Sequence, residues 1–72
     1  MLRLSAETQQ SKVRAQLEEL LRDRRPGDKL PSEPQLAKAL CVSRTTVREV
    51  MGQLEVEGFV ARRQGSGTYV NH

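Results

Sequence analysis

Apolar residues recur at helical spacing in the first third of the chain. Four of them stand at i, i+4, i+7 and i+8, which is one face of an amphipathic helix: Val13, Leu17, Leu20 and Leu21. We predict helix 1 from about Ala6 to Arg24, with Ser5 as its N-cap, so that residues 1–10 comprise an N-terminal tail and the start of this helix. The segment Arg25–Asp28 has proline second and glycine third, as in a type II turn, so helix 1 must end there.

A second, shorter helix is predicted to begin at Ser32, after an extended segment at Lys29-Leu30. Ser32 is a good N-cap, and Pro34 lies in the first helical turn, where the amide hydrogen that proline lacks is not needed. The side chain of Gln35 is placed to form the reciprocal hydrogen bond of a capping box with Ser32. The apolar stripe of this helix consists of Leu36, Ala37 and Leu40. The residues Cys41-Val42 then form a tight turn.

A third helix is predicted from its own cap, Ser43. Its apolar residues recur at i, i+3, i+4 and i+7, namely Val47, Val50, Met51 and Leu54. Gly58 ends this helix, and Phe59 just beyond it can contact Leu54 as in a Schellman motif. From Phe59 the pattern changes: segments 59–63 and 68–70 flank Gln64–Gly67 and predict a β-hairpin with a glycine-rich tip. The fold class is therefore mainly α with a small β-hairpin, in the order helix, helix, helix, hairpin.

The second and third helices, joined by a tight turn, have the helix-turn-helix arrangement, in which the N-terminal end of the second helix enters the DNA major groove. A step of 100° per residue turns Thr45 and Arg48 outward, and Arg44 lies at the flank of the first turn. Arginine can bind guanine bidentately, and threonine can contact a base edge. Taken alone, the same residues also suit a solvated, well-capped helix start. The arginines Arg62 and Arg63 at the base of the hairpin favour the nucleic-acid interpretation.

Composition supports the same interpretation and excludes others. The 72 residues carry 12 basic and 9 acidic side chains, a net charge of +3, which suits a polyanionic partner. Only Phe59 and Tyr69 are aromatic, which favours duplexes over single strands stacked on aromatic rings. With one cysteine, Cys41, and one histidine, His72, the chain offers neither an internal disulfide nor a zinc site.

Other function classes find no support in the sequence. We identify no catalytic residues and no cofactor motif, because Ser43, Ser66 and Cys41 have no nearby base and Gly65-x-Gly67 lacks a following helix. No apolar run approaches the roughly 20 residues that a membrane span needs, and residues 1–10 lack the apolar region of a secretory signal. We therefore expect a cytoplasmic protein that is not an enzyme.

Several motifs together resemble a known family. The residues that carry the resemblance are Pro26–Glu33, Leu36-Ala37, Val42–Arg48, Leu54, Glu57–Val60 and Gly65–Val70. They are similar to the DNA-binding domain of the GntR (gluconate-repressor-like) bacterial transcription regulators. The resemblance covers about residues 11–70 and implies a three-helix winged helix-turn-helix that binds a palindromic operator as a dimer.

The resemblance also implies roles for individual residues. Arg44 and Arg48 match the family's recognition-helix arginines within helix 43–57, and the hairpin 62–68 matches a wing whose tip lies at the minor groove. The complete set of expected DNA contacts is Ser32, Ser43, Arg44, Thr45, Thr46, Arg48, Arg62, Arg63, Gln64, Gly65 and Ser66. Of these, Arg62 and Arg63 are expected to lie beside phosphates because of their charge at the base of the hairpin, independently of the resemblance.

The chain departs from the family pattern at two positions. Pro34 stands where many members have an arginine that contacts DNA, which puts a contact from the second helix in doubt. Cys41 stands where the turn usually has glycine, and a left-handed non-glycine residue costs about 1 kcal/mol.

Family members continue into a C-terminal effector-binding and dimerising domain, whereas residues 71–72 end this sequence. We expect that domain to be absent here through truncation, and the full-length protein to form a homodimer through it. The alternative to DNA binding is a winged-helix protein-interaction module. Exposed arginines argue against that alternative, because interaction faces are generally poor in charge at their centre.

Overall fold

The computed structural model describes residues 9–71 and contains three helices followed by a two-stranded antiparallel hairpin. The elements are α1 (Gln9–Arg22), α2 (Glu33–Leu40), α3 (Arg44–Val56), β1 (Val60–Arg63) and β2 (Gly67–Val70). The predicted fold class and element order are confirmed. The predicted N-cap Ser5 and the start of helix 1 near Ala6 lie outside the described residues.

Helix α1 ends two residues before the predicted Arg24. The amides of Asp23 and Arg24 bond to carbonyls three residues back, at 3.3 and 3.1 Å, so the chain tightens into a turn. Pro26 disfavours helical geometry at Arg25 and has no amide hydrogen to donate to the Arg22 carbonyl, so the helix cannot continue through this segment. In the turn that follows, the Asp28 amide donates to the Arg25 carbonyl at 3.0 Å and Gly27 has φ +95°.

The segment after this turn lies alongside β2 and is joined to it by an isolated β-bridge. Lys29 forms an antiparallel bridge with Tyr69, and the Leu30 amide donates to the Thr68 carbonyl at 2.8 Å. The Val70 amide in turn donates to the Asp28 carbonyl at 2.8 Å. These bonds attach the hairpin to the start of α2 and bring Leu30 into the core, where it is 4% exposed.

The two predicted serine caps that lie within residues 9–71 are present. Ser32 and Gln35 form a capping box: the Ser32 hydroxyl accepts from the Gln35 amide at 3.2 Å, and the Gln35 side chain accepts from the Ser32 amide at 2.9 Å. At the start of α3 the Ser43 hydroxyl accepts from the Thr46 amide at 3.1 Å.

Between the two helices Cys41 is left-handed (φ 59°, ψ 44°), and the Val42 amide bonds to the Ala37 carbonyl at 3.0 Å. This Schellman geometry reverses the chain within two residues.

The core lies where the three helices and the hairpin meet. Its buried apolar residues are Val13, Leu17, Leu21, Leu30, Leu36, Ala37, Val47, Val50, Met51, Leu54, Val60 and Val70. Leu20 and Leu40, predicted inside, are only partly buried because they lie at the edges of their helical stripes. Phe59 packs against the core after the Gly58 turn, and its amide donates to the Leu54 carbonyl at 2.9 Å as the Schellman prediction requires.

The hairpin differs from the prediction by one residue at each strand. β1 begins at Val60 rather than Phe59, and β2 already includes Gly67, which pairs with Arg63. The tip is therefore the three residues 64–66, closed by a bond from the Ser66 amide to the Arg63 carbonyl at 2.9 Å. Gly65 has φ +79° in this turn, a conformation that glycine adopts without strain.

Candidate nucleic-acid interface

The exposed end of α3 presents the side chains that the helix-turn-helix pattern predicts. Ser43, Arg44, Thr45 and Arg48 are all exposed, while Val47 behind them is completely buried. α3 is held from behind by its packing on α1 and α2. The arrangement leaves the first turn of α3 free to enter a groove, with two guanidinium groups available for hydrogen bonds.

Thr46 lies on the inner side of the same helix. It is 9% exposed, its hydroxyl donates to Gln9 Oε1 at 3.1 Å, and it shares a 2.9 Å hydrogen bond with the Ser43 hydroxyl. Thr46 thus fastens the start of α3 to α1. The sequence carried a signal for this placement, because Thr46, Val50 and Leu54 recur at intervals of four on the buried stripe.

The glycine-tipped hairpin projects its polar residues into solvent. Arg63, Gln64, Gly65 and Ser66 are exposed. The Arg63 guanidinium lies 5.8 Å from the centre of the Tyr69 ring, and the Ser66 hydroxyl is hydrogen-bonded to the Tyr69 hydroxyl. Tyr69 thereby orders both the base and the tip of the hairpin.

Ser32 stands at the opening between this hairpin and α2. It is exposed, and it lines an open cleft of about 810 Å³ together with Lys29 and Thr68. Its hydroxyl is already engaged in the capping box with Gln35. Ser32 therefore contributes to the start of α2 as well as to the rim of the cleft.

Arg62, which is predicted to lie beside phosphates, pairs with acidic side chains of its own domain. Its guanidinium forms ion pairs with Glu33, at 3.1 Å, and with Glu55, at 3.6 Å. Strand periodicity explains the direction of this side chain: Val60 points into the core, so Arg62 two residues later points the same way and Arg63 points away.

Glu33, which is not among the residues predicted to contact DNA, also belongs to this surface. Its carboxylate also lies 3.5 Å from Arg48 Nε, so it contacts one arginine from α3 and one from β1. Local spacing offered no signal for this, since Glu33 and Arg62 are far apart in the sequence.

A second ionic network lies at the other half of α3. Arg14 donates from Nε to Glu18 at 3.0 Å and from Nη1 to Glu57 at 2.9 Å and to Gln53 at 3.4 Å. The hydrogen bonds that Arg14 donates to Glu57 and Glu18 raise the pKa of Arg14, and the bond to Glu57 also lowers the pKa of Glu57. This network ties α1 to the C-terminal end of α3 and does not involve Arg44 or Arg48.

Within residues 9–71 there is no group of three or more His, Cys, Asp or Glu side chains placed to hold a metal ion. In the same part of the chain, no helix has the length and apolar character needed to cross a membrane.

Comparison with known proteins identifies relatives of this domain. The chain is 45% identical over 47 residues to the arabinose metabolism transcriptional repressor of Geobacillus stearothermophilus, and 57% identical over 44 residues to the Exu regulon transcriptional regulator of Escherichia coli (strain K12). The matches include 65% and 61% of this chain but only 13% and 17% of the two relatives. The chain therefore spans a small part of the length of the curated relatives it matches.

A solved structure agrees with this relationship. AraR(DBD) in complex with operator ORX1 superposes with a TM-score of 0.85 at 30% identity, over 93% of this chain and 86% of that chain. The family model described as "Bacterial regulatory proteins, gntR family" matches residues 9–70. Because this match includes all three helices and both strands, the chain belongs to the gntR family of bacterial regulatory proteins.

Proposed function

We propose that this domain binds double-stranded DNA sequence-specifically, with the first turn of α3 in the major groove and the hairpin as a wing at the minor groove. The observation that carries the proposal is the superposition on a domain solved in complex with its operator. The exposed arginines at the free end of α3 supply the chemistry that such a complex needs.

Arg44 and Arg48 are the residues to which we assign base reading. Both project from the exposed half of α3, and the Arg48 side chain is 65% exposed although it approaches Glu33. A guanidinium can donate two parallel hydrogen bonds to guanine O6 and N7, and one such contact discriminates by about 1 to 3 kcal/mol. Ser43 and Thr45 flank them, where a hydroxyl can bond a phosphate or a base edge.

The wing supplies a second contact. A Cβ added at Gly65 would meet nothing within 4 Å in the free domain, and glycine's lack of a side chain lets the backbone come close to a sugar-phosphate chain. Gln64 and Ser66 flank Gly65, and Arg63 supplies positive charge on the exposed face of β1. Ser32, at the rim of the cleft, is the remaining residue for which we propose a contact with DNA. We assign Thr46 a supporting role, in which its hydroxyl holds Ser43 and α1 in place, and not a direct contact with DNA.

We further propose that two copies bind one palindromic operator, as expected for a domain that reads a half-site, with dimerisation outside the residues described. Half-sites read by paired helix-turn-helix domains lie about 34 to 36 Å apart or at multiples of that distance. The proposal makes this a cytoplasmic regulator of transcription without catalytic activity of its own.

Selection of bound duplexes from a random pool tests the proposal. We expect an enriched half-site motif, and the selected duplex should bind with an affinity that falls steeply as salt rises, because each neutralised phosphate contributes about 0.9 to the log–log slope. Arg44→Ala should weaken this binding. Arg22→Ala is the matched control: it removes the same charge from the end of α1 near Phe59, far from the first turn of α3.

Absence of any enriched motif, together with salt-independent or undetectable duplex binding by the folded domain, would refute the proposal. That outcome would favour the protein-interaction module. Equal losses in Arg44→Ala and Arg22→Ala would show that net charge, and not the exposed end of α3, controls binding.

A further inference from the structure

Three separate elements meet at one carboxylate on the face that we assign to DNA. Glu33, in the first turn of α2, approaches Arg48 of α3 at 3.5 Å and Arg62 of β1 at 3.1 Å. Arg62 also reaches Glu55 at 3.6 Å and donates to the Arg48 carbonyl at 3.4 Å. One carboxylate and one guanidinium thus connect the recognition helix, the wing and the helix that precedes them.

The presence of the Glu33 carboxylate on a face that we assign to DNA needs a physical explanation. The carboxylate of Glu33 repels phosphates, and its side chain is 22% exposed, so water does not fully screen it. The N-terminal end of α2 stabilises the charge locally, since the helix dipole favours an acid in the first turn. That explains how Glu33 is tolerated, but it does not explain why the carboxylate is directed at two arginines.

We propose that Glu33 and Arg62 are positioning residues for DNA reading. Glu33 holds the guanidinium of Arg48 in the direction in which it meets a base edge, and Arg62 locks the wing to α3 without contacting phosphate itself. The inference rests on the proposed function, and it replaces the role predicted for Arg62 from sequence.

The contacts of Arg62 and Arg63 support different roles for these two neighbouring arginines. Arg62 is 35% exposed and shares its charge between two carboxylates, so it has little capacity left for a phosphate. Arg63 faces the other side of β1, where it stacks over Tyr69, and keeps its charge available. Among residues 9–71 Arg48 pairs with one carboxylate, and its side chain is 65% exposed, so it is oriented and still reachable. Holding a long side chain in its binding direction lowers the entropy lost on complex formation.

Glu33→Gln gives a test in which the two explanations predict opposite signs. The probes are the selected duplex and a duplex of shuffled sequence with the same length and composition. If Glu33 acts only as a negative charge, Glu33→Gln strengthens binding to both duplexes. If Glu33 positions Arg48, we expect the affinity of Glu33→Gln for the selected duplex to fall about five- to tenfold, which is part of the loss expected when a base-reading arginine is deleted. The affinity for the shuffled duplex should be unchanged or increased. Glu19→Gln is the matched control, because Glu19 pairs only loosely, at 3.9 Å, with Arg22 on α1.

Arg62 is tested by salt dependence. Replacing a phosphate-contacting arginine lowers the log–log salt slope by about 1, and we expect this for Arg63→Ala. For Arg62→Gln, which retains part of the aliphatic stem, we expect weaker binding to the selected duplex with the slope unchanged. Combining it with Glu33→Gln should give less than the sum of the two single effects, because both variants break the same contact. A slope decrease equal to that of Arg63→Ala would overturn the assignment of Arg62.

Arginine side-chain NMR of the free domain separates this inference from the proposed function. If the wild-type domain selects no duplex, the proposed function fails. The Nε–Hε resonance of Arg48 still reports order: it should become more mobile in Glu33→Gln and stay unchanged in Glu19→Gln. An equally mobile Arg48 side chain in the wild type and in Glu33→Gln would refute the positioning role of Glu33, and thermal unfolding of each variant excludes loss of fold as the cause.

Discussion

Replacing Cys41 by glycine is expected to leave the domain unchanged in stability or to stabilise it slightly, although most substitutions destabilise. Cys41 ends α2 in a left-handed conformation, with φ 59° and ψ 44°. In that region the Cβ of any L-residue crowds the following carbonyl, whereas glycine has no Cβ. The thiol is exposed, so its removal leaves no cavity.

The magnitude follows from two opposing contributions. Relief of the left-handed strain contributes about 1 to 2 kcal/mol, and the greater freedom of glycine in the unfolded chain costs about 0.4 to 1 kcal/mol. The difference is a stabilisation of roughly 0 to 1.5 kcal/mol. For a domain of this size, each kcal/mol corresponds to about 4 to 8 °C in the midpoint of thermal unfolding.

Urea unfolding followed by circular dichroism measures the change in the free energy of unfolding. Cys41→Ala is the matched control, because it removes the thiol and keeps the Cβ, so the strain remains and stability should stay within about 0.5 kcal/mol of the wild type. A loss of 1 kcal/mol or more in Cys41→Gly, with Cys41→Ala unchanged, would refute the reasoning. It would mean that the left-handed conformation of Cys41 carries no strain for glycine to relieve.

Three further predictions concern the surface and the core. Arg44→Ala and Arg48→Ala should each cost about 1 to 3 kcal/mol in binding to the selected duplex and relax the preference at one base pair; unchanged affinity in both folded variants would contradict the assignment. Leu54→Ala should destabilise by about 2 to 5 kcal/mol in urea unfolding, because Leu54 is completely buried in the core; a loss below 1 kcal/mol would show that the core closes around the cavity. Glu57→Gln should be less stable than the wild type at pH 7. The lowered pKa of Glu57 means that its pairing with Arg14 stabilises the fold above the unfolded pKa of about 4.3, and that this contribution disappears as pH falls through the folded pKa. The difference between wild type and Glu57→Gln should therefore vanish in acid, and a difference independent of pH would contradict this account.

Local chemistry made the elements and their ends predictable. Ser32 and Ser43 cap their helices through contacts within three residues, and Gly27 adopts the positive φ that its turn requires. The left-handed conformation of Cys41 was indicated only by the family resemblance, because the family usually has glycine at this position of the turn. Exposure of Arg44 and Arg48 followed from helical periodicity once the buried stripe of α3 was recognised. These features depend on residues that are close together in the sequence, so a short segment of the chain is enough to determine each of them.

Contacts between distant residues were decided only by the tertiary structure. The pattern grouped Arg62 with Arg63 as phosphate neighbours and Thr46 with the exposed end of α3, yet Arg62 pairs with Glu33 and Glu55 and Thr46 bonds to Gln9. Each of these partners reaches the site because α1, α2 and β1 pack around α3. The sequence by itself determined the helices, their caps and the exposed arginines, since these depend on spacing along the chain. Which arginines form ion pairs within the domain depended on packing, because a charge is paired by whatever side chain the fold brings within a few ångströms of it.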